Sequence, residues 1–174
     1  MWDKGLDYDE FLREVKRNIK ELLPPETELE EKKLTYWTVI AIQLTNGLRI
    51  SEAIEATKKW AKSGKTVLEV KVRKKRRKQE IRPVKIPKFV IKTREYIQDV
   101  LREKDEKLER RIVSWASKHK INTHSVRYAW VTKKLKEGVN PAIVAGALRH
   151  SKLDMLMKYV QRMEADKLVL NEEE

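Results

Sequence analysis

The sequence predicts a mainly α-helical fold with one small antiparallel β-sheet, an α+β architecture. Apolar residues recur every three or four positions through most of the 174 residues, which is the period of an amphipathic helix. The period changes to two only in residues 67–72 and 81–86, where β-branched residues alternate with polar ones. The run Arg-Lys-Lys-Arg-Arg-Lys at 73–78 separates these segments, so they are expected to pair as a hairpin with a basic tip.

Three helices are expected before the hairpin. Pro24 stops the first, because proline cannot continue a helix. Asn46-Gly47 breaks the second, and the third ends near Gly64, since glycine is favoured just after a helix. The predicted helices span residues 7–23, 29–46 and 50–61.

Five helices are expected after the hairpin. Asn122 and Thr123 are candidate N-caps, and Gly138 ends the helix that they start. Asn140 followed by proline is typical of another helix start, and Ser151-x-x-Asp154 resembles a capping box. The predicted helices span residues 89–103, 106–120, 124–137, 141–148 and 152–162.

The charge balance favours a polyanionic partner. There are 40 Lys and Arg against 27 Asp and Glu, a formal net charge of +13. The absence of cysteine excludes disulfides and thiolate zinc sites. The first residues open no apolar segment, and no apolar stretch of about 18 residues occurs, so we expect a soluble, cytoplasmic protein without a membrane partner.

Several polar side chains suit phosphoryl transfer to a tyrosine on a nucleic-acid backbone. Arg49 stands at the start of the third predicted helix, and Arg127 follows His124 by three residues on one face of a later helix. Two guanidiniums can each donate a pair of hydrogen bonds to the non-bridging oxygens of a phosphate. A tyrosine hydroxyl can attack when a base takes its proton, and a lysine can protonate the departing sugar oxygen. This chemistry requires no metal ion and no cofactor, and no metal-ligand cluster or Gly-rich phosphate loop is evident.

Three segments carry a resemblance to a known family. The segment LTNGLRISEA, residues 44–53, resembles the first conserved box of the tyrosine recombinases, which include phage and archaeal-virus integrases. The segment 123–151, which begins THSVRYAW and ends ALRHS, resembles the second box with its His-x-x-Arg. The segment HSKLDMLMKYV then places Tyr159 nine residues after His150, where the family has its nucleophile.

The resemblance implies a role for each of these residues. Arg49 and Arg127 would clamp the scissile phosphate. His124 would assist proton transfer or bond a phosphate oxygen, and His150 would fill the family's late His or Trp position. Tyr159 would form the 3′-phosphotyrosyl link and release a 5′-hydroxyl.

The same resemblance implies roles for a glutamate of the first box and for the basic residues of the hairpin. Glu52 matches the acidic residue of the first box, as a support rather than a reactant. Lys75 is the favoured hairpin lysine for catalysis, while Lys74 and Lys78 remain open because the register of the hairpin is uncertain. The remaining tip cations are expected to contact DNA phosphates without reading sequence, in the set Arg73, Lys74, Arg76, Arg77 and Lys78.

The sequence departs from the family at two places. Arg149 stands where the family has glycine before the late histidine, and Tyr128-Ala129 stand where cellular members commonly have His-Thr. These departures favour an archaeal virus or plasmid integrase. Only 48 residues precede Arg49, so we expect residues 1–174 to form a single catalytic domain without the family's N-terminal core-binding domain.

The expected partners are double-stranded DNA and other copies of the chain in a synaptic tetramer. In the absence of DNA the chain is expected to be a monomer.

Two other functions remain open from the sequence. A type IB topoisomerase uses similar groups, and a non-catalytic basic DNA-binding module would need neither Tyr159 nor the two arginines. Tyr128 is a rival nucleophile, but its position next to Arg127 points it away from that helix face. Whether Tyr159 acts in its own site or a neighbour's is also open.

Overall fold

The structure, a computed structural model, describes residues 6–72, 80–149 and 154–171; the side chains of 154–157, 159, 160 and 163 are outside the described part. Within these described residues helices dominate and there is one two-stranded antiparallel sheet, which confirms the predicted fold class. The elements are α1 Tyr8–Leu22, α2 Glu28–Asn46, α3 Ile50–Ser63, β1 Val67–Lys71, β2 Ile81–Lys85, 3-10 helices Lys88–Tyr96 and Gln98–Arg102, α4 Asp105–Lys118, α5 Thr123–Lys136, α6 Pro141–Leu148 and α7 Asp154–Leu170.

The second helix, α2, is the centre of the core. Its apolar residues are buried, from Leu34 through Ile40 to Leu44, and so are several of its polar residues, among them Thr38 and Gln43. It packs against α1, α3, α5 and the first 3-10 helix, and its buried residues run from Leu34 to Leu44. Burial of this apolar surface is the main favourable term that holds the helices together.

Helix caps set the ends of the elements that carry candidate site residues. The Asn122 side chain accepts a hydrogen bond from the His124 backbone N–H at 2.9 Å, and the Asn140 side chain accepts from Ala142 at 2.8 Å. Each cap satisfies a donor that the first helical turn leaves free. Both N-caps were predicted correctly. The predicted capping box at Ser151 lies outside the described residues.

The hairpin directs one face of β2 into the protein. Val70 pairs with Arg82 across the two strands, and alternate residues of β2 are buried. Arg82 and Val84 therefore point inward together with Ile86, which follows the strand. The tip, residues 73–79, lies outside the described part, and so do the predicted DNA contacts Arg73, Lys74, Arg76, Arg77 and Lys78 and the catalytic candidate Lys75.

The segment predicted as one α-helix, residues 89–103, is instead two 3-10 helices that meet at Ile97. The buried residues Val90 and Thr93 are three positions apart, which suits a helix with three residues per turn. The Thr93 hydroxyl donates to the Val90 carbonyl at 2.8 Å, three residues back. Several β-branched residues in the segment also lower its α-helix propensity.

The connection after α6 contains an unusual backbone conformation. Arg149 has φ 55° and ψ 36°, the left-handed region in which glycine is favoured. Its Nη1 donates to the Gly146 carbonyl at 2.6 Å and its Nε donates to the Ile81 carbonyl at 3.2 Å. The Arg149 side chain thus holds the end of α6 against β2.

Replacing Arg149 by glycine should leave the protein more stable than replacing it by alanine. Both changes remove the same hydrogen bonds, but only glycine avoids the left-handed backbone penalty, which is about 1 kcal/mol. Urea unfolding of the two variants measures the difference in free energy of unfolding. Equal stability, or a more stable alanine variant, would contradict this expectation.

The last helix, α7, is longer than predicted. It was expected to end near residue 162 but continues to Leu170. Among the described helices, none combines the length and the apolar character that a membrane crossing needs.

Candidate active site

The turn between α2 and α3 brings the first candidate arginine to the site. Gly47 ends α2 with φ 64°, Leu48 is fully buried, and Arg49 is the N-cap of α3. A Cβ at Gly47 would lie 2.4 Å from Cε3 of Trp130, on α5. Only a residue without a side chain allows this turn to lie against the helix that carries His124 and Arg127.

Replacing Gly47 by alanine should destabilise the fold by about 2–4 kcal/mol, because it adds a left-handed backbone penalty and a clash with the Trp130 ring. Gly138→Ala is the matched control. Gly138 also has positive φ, at 84°, but its Cβ would meet nothing within 4 Å. Thermal unfolding should therefore show a clearly smaller loss for Gly138→Ala; equal losses would contradict a steric role for Gly47.

A buried carboxylate stands at the centre of the site. Glu52, in the first turn of α3, is 0% exposed. Its Oε1 accepts the backbone N–H of Arg49 at 2.9 Å, and its Oε2 lies 3.3 Å from Nη1 of Arg49. The same Oε1 lies 3.5 Å from Nη1 of Arg127. One carboxylate therefore fixes two guanidiniums that are far apart in the sequence.

Arg127 is buried with spare hydrogen-bonding capacity. Only 5% of the residue is exposed, and its Nη2 has no hydrogen-bond partner among the described residues. Burial lowers the pKa of Arg127 to about 10, and the neighbouring charge of Arg49 lowers it as well, while Glu52 raises it. The guanidinium is still charged at neutral pH, so a buried cation has an unused donor.

A third arginine, missed by the sequence analysis, belongs to the same cluster. Arg82 of β2 is 4% exposed and donates to the carbonyls of Asn46 and Gly47. Its Nε has no hydrogen-bond partner in the described part of the chain. Burial lowers the pKa of Arg82 to about 10; Glu52 raises it, and Arg149 and Arg49 lower it. The alternation of side chains along a strand could have indicated its burial, because Arg82 lies on the same face as Val84 and Ile86.

His124 precedes Arg127 by three residues on α5. It is exposed in the first turn of α5 and lines a surface cleft together with Ile50, the residue after Arg49. Gln43 of α2 donates to the Thr123 carbonyl at 2.9 Å, which ties the start of α5 to the central helix. The imidazole is thus open to solvent one helical turn before Arg127. On the same helix, Val126 is fully buried in the core.

The other predicted site residues are only partly described. His150 and Lys75 lie outside the described residues. Tyr159 lies on α7, and its side chain is outside the described part. The residues that the structure brings together are therefore Arg49, Glu52, Arg82 and Arg127, and His124 stands one helical turn before Arg127.

The cluster has the chemistry of an anion site. Three guanidiniums and one carboxylate carry a formal charge of +2, and the carboxylate is fully buried while two of the guanidiniums are nearly so. Buried donors without partners are costly, and a phosphate provides several acceptor oxygens of opposite charge. A phosphate bound at this cluster would satisfy the free nitrogen of Arg127 and offset the excess positive charge.

Comparison with known proteins assigns the chain to a family. It is 36% identical to a protein named putative integrase from Acidianus two-tailed virus, over 94% of this chain and 66% of that protein. It is 31% identical to an uncharacterized protein of Methanocaldococcus jannaschii, over 98% of this chain and 88% of that protein. A protein named putative integrase from Sputnik virophage is 28% identical, over 96% of this chain and 88% of that protein.

The chain belongs to the same family as the Methanocaldococcus protein, and the two viral proteins that it resembles are both named putative integrase. It spans just under two thirds of the length of the Acidianus virus protein. No protein-family model and no solved structure matches it.

Proposed function

We propose that this chain is the catalytic part of a site-specific DNA integrase of the tyrosine recombinase type, which cleaves and rejoins DNA through a 3′-phosphotyrosyl intermediate. The observation that carries the proposal is the buried carboxylate of Glu52 between Arg49 and Arg127, with Nη2 of Arg127 left without a described partner. The names of the two viral relatives support the same function.

The arginines hold the scissile phosphate in this scheme. Arg49 is about one third exposed on its side chain and Arg127 is almost fully buried, so a phosphate can approach from the side of Arg49. The pentacoordinate transition state carries more charge on its non-bridging oxygens than the diester does. Fixed guanidiniums in a desolvated site stabilise that charge without reorganising.

The chemical step exchanges one phosphate ester for another. The hydroxyl oxygen of Tyr159 forms a bond to phosphorus, and the bond from phosphorus to the 5′-oxygen breaks. His124 or His150 assists in proton transfer from the tyrosine or bonds a phosphate oxygen. A hairpin lysine, Lys75 or alternatively Lys74 or Lys78, gives its proton to the departing 5′-oxygen. Because the bond energy stays in the phosphotyrosine, a new 5′-hydroxyl can reverse the step and join a different strand.

DNA binding in this proposal is dominated by phosphate contacts. The net charge of +13 and the basic tip of the hairpin give an affinity that falls steeply with salt. The proposed partners are double-stranded DNA and further copies of the chain, assembled as a synaptic tetramer on DNA.

Trapping the covalent intermediate tests the proposal. A pool of duplexes with randomised sequence carries a nick close to one position, so that cleavage beside the nick releases a short fragment and prevents rejoining. The proposal predicts a protein–DNA adduct that survives denaturing electrophoresis, joined through a 3′-phosphate to a tyrosine identified by peptide mass mapping. Sequencing the trapped DNA would also give the target.

The alternatives predict different outcomes. DNA binding without any adduct would favour the non-catalytic DNA-binding module. An adduct accompanied by relaxation of supercoiled DNA, without strand exchange between two sites, would favour the topoisomerase.

A further inference from the structure

Arg82 has a local structural task. It donates to the carbonyl oxygens of Gly47, at 3.4 Å, and of Asn46, at the C-terminal end of α2. Carbonyls at this end of a helix lack partners within the helix and carry the negative end of its dipole. Since Arg49 follows two residues after Gly47, Arg82 holds the turn from which Arg49 enters the site.

Another arginine performs the same task elsewhere without entering a charged cluster. Arg94 donates through Nε to the Trp60 carbonyl at 3.1 Å and through Nη2 to the Ala61 carbonyl at 2.9 Å, near the end of α3. Arg94 remains half-buried, beside the Gly64 turn. Holding a helix end therefore does not require the near-complete burial of Arg82.

The surroundings of Arg82 are unfavourable for a cation in the absence of an anion. The guanidinium is removed from water, and the charges of Arg49 and Arg149 oppose its charge, while Glu52 supports it. The single carboxylate of Glu52 is already held by Arg49 and Arg127. The Nε of Arg82 and the Nη2 of Arg127 are both buried donors without described partners. A bound anion would balance the excess positive charge and accept hydrogen bonds from these donors.

We propose that Arg82 is a positioning residue of the phosphate site, which holds the turn that carries Arg49 and acts through its own charge on the bound phosphodiester. This inference rests on the proposed function. Charge is effective over distance in a poorly solvated site, so Arg82 stabilises the transition state without having to contact the reacting atoms. Its two effects are separable, because the turn depends on the planar fork of arginine and the electrostatic effect depends only on a positive charge.

Three variants separate these effects: Arg82→Met, Arg82→Lys and the matched control Arg94→Met. The rates of cleavage are compared on the duplex recovered by trapping. The scissile position carries either a phosphodiester or a methylphosphonate, in which a methyl group replaces one non-bridging oxygen and the linkage is uncharged. Arg82→Met should cleave the phosphodiester about 10- to 100-fold more slowly than the unmodified protein, given the effect of removing one preorganised donor elsewhere. The deficit should shrink markedly on the methylphosphonate, which has one negative oxygen fewer.

The lysine variant distinguishes charge from structure. Arg82→Lys should lower the Tm about as much as Arg82→Met, since neither side chain has the fork, but it should recover most of the cleavage. Arg94→Met should lower the Tm, but the ratio of its cleavage rates on the two substrates should be the same as that of the unmodified protein. The proposal is overturned if the rate of cleavage falls in proportion to the Tm across the three variants. It is also overturned if Arg82→Met slows cleavage of both substrates by the same factor, because Arg82 would then act only as a helix cap.

A second measurement does not depend on catalysis. Inorganic phosphate, compared with chloride at equal ionic strength, should raise the Tm of the unmodified protein and of Arg94→Met, and should raise that of Arg82→Met by less than half as much. An unchanged phosphate effect in Arg82→Met would overturn the proposal. If the unmodified protein forms no DNA adduct, the proposed function fails, and this measurement still decides whether Arg82 belongs to an anion site.

Discussion

Replacing Glu52 by glutamine should reduce both cleavage and stability strongly. The carboxylate is fully buried and holds the backbone of Arg49 and the guanidiniums of Arg49 and Arg127. Glutamine keeps the shape and one acceptor of the side chain, but it removes the negative charge that Glu52 places among Arg49, Arg82 and Arg127. Removing one partner of a buried ion pair typically costs about 3–5 kcal/mol, because the other charge is left uncompensated.

Cleavage by Glu52→Gln should fall about 100-fold, a value typical for the loss of a preorganised electrostatic contact. Duplex DNA binding at low salt should not weaken, because the variant is more positive. Trapping assays and salt titrations measure the two effects separately. A variant that binds poorly and cleaves poorly in the same proportion would show that Glu52 contributes to general folding rather than to the placement of the arginines.

Glu55→Gln is the matched control on the same helix. Glu55 lies 3.3 Å from Nζ of Lys59 and accepts the Lys71 backbone N–H at 3.1 Å, near the surface. Its replacement should cost less than about 1 kcal/mol, because its partner Lys59 is 49% exposed and an ion pair that solvent screens contributes little. A similar loss in free energy of unfolding from both substitutions would contradict a special role for the buried carboxylate.

A double substitution tests whether Glu52 and Arg127 are coupled. Arg127→Met combined with Glu52→Gln removes a cation together with the charge that balances it. The double variant should therefore be less destabilised than the sum of the two single variants, since fewer buried charges remain unpaired. Additive losses would show that the two side chains act independently.

Local structure was predictable where a single residue decides it. Asn122 and Asn140 have side chains that satisfy the free donors of a helix start, and both are N-caps. Gly47 ends α2 because the chain there needs a positive φ. These effects act over a few residues, so they can be inferred from the sequence alone.

The site was predictable only in part. The proximity of Arg49 and Arg127 is a tertiary feature that no local pattern reveals, and it was expected from the resemblance to a family with that pair. Arg82 was not expected, because a charged residue in a strand is normally assigned to the solvent side. Its inward direction depends on the register of β2 against β1, with Val70 opposite it.

Helix type and helix length were the other failures. Over the nine residues of the first 3-10 helix, a period of three is difficult to distinguish from 3.6, so residues 88–96 looked like an α-helix. The end of α7 was placed too early because its last turns have no buried apolar stripe; Leu168, Val169 and Leu170 are all strongly exposed. Good helix formers up to Leu170 continue the helix without tertiary packing.

Replacing Tyr159 by phenylalanine should abolish the covalent adduct completely and leave DNA binding unchanged. Phenylalanine keeps the ring but removes the only oxygen that the scheme joins to phosphorus, so no slower route to the intermediate remains. Gel electrophoresis under denaturing conditions measures the adduct, and a native binding assay measures affinity. Tyr128→Phe is the matched control, because Tyr128 is half-buried on α5 next to Arg127 and should not affect the adduct.

Mixing two inactive variants shows which copy supplies the nucleophile. Arg127→Ala keeps Tyr159 but lacks one arginine of the proposed phosphate site, whereas Tyr159→Phe keeps the arginines but lacks the proposed nucleophile. If the tyrosine reaches into a neighbouring copy, the mixture forms an adduct on the Arg127→Ala protein, although neither variant does so alone. If each copy uses its own tyrosine, the mixture stays inactive. An adduct in Tyr159→Phe alone would contradict the assignment of Tyr159 under either arrangement, and would direct attention to Tyr128.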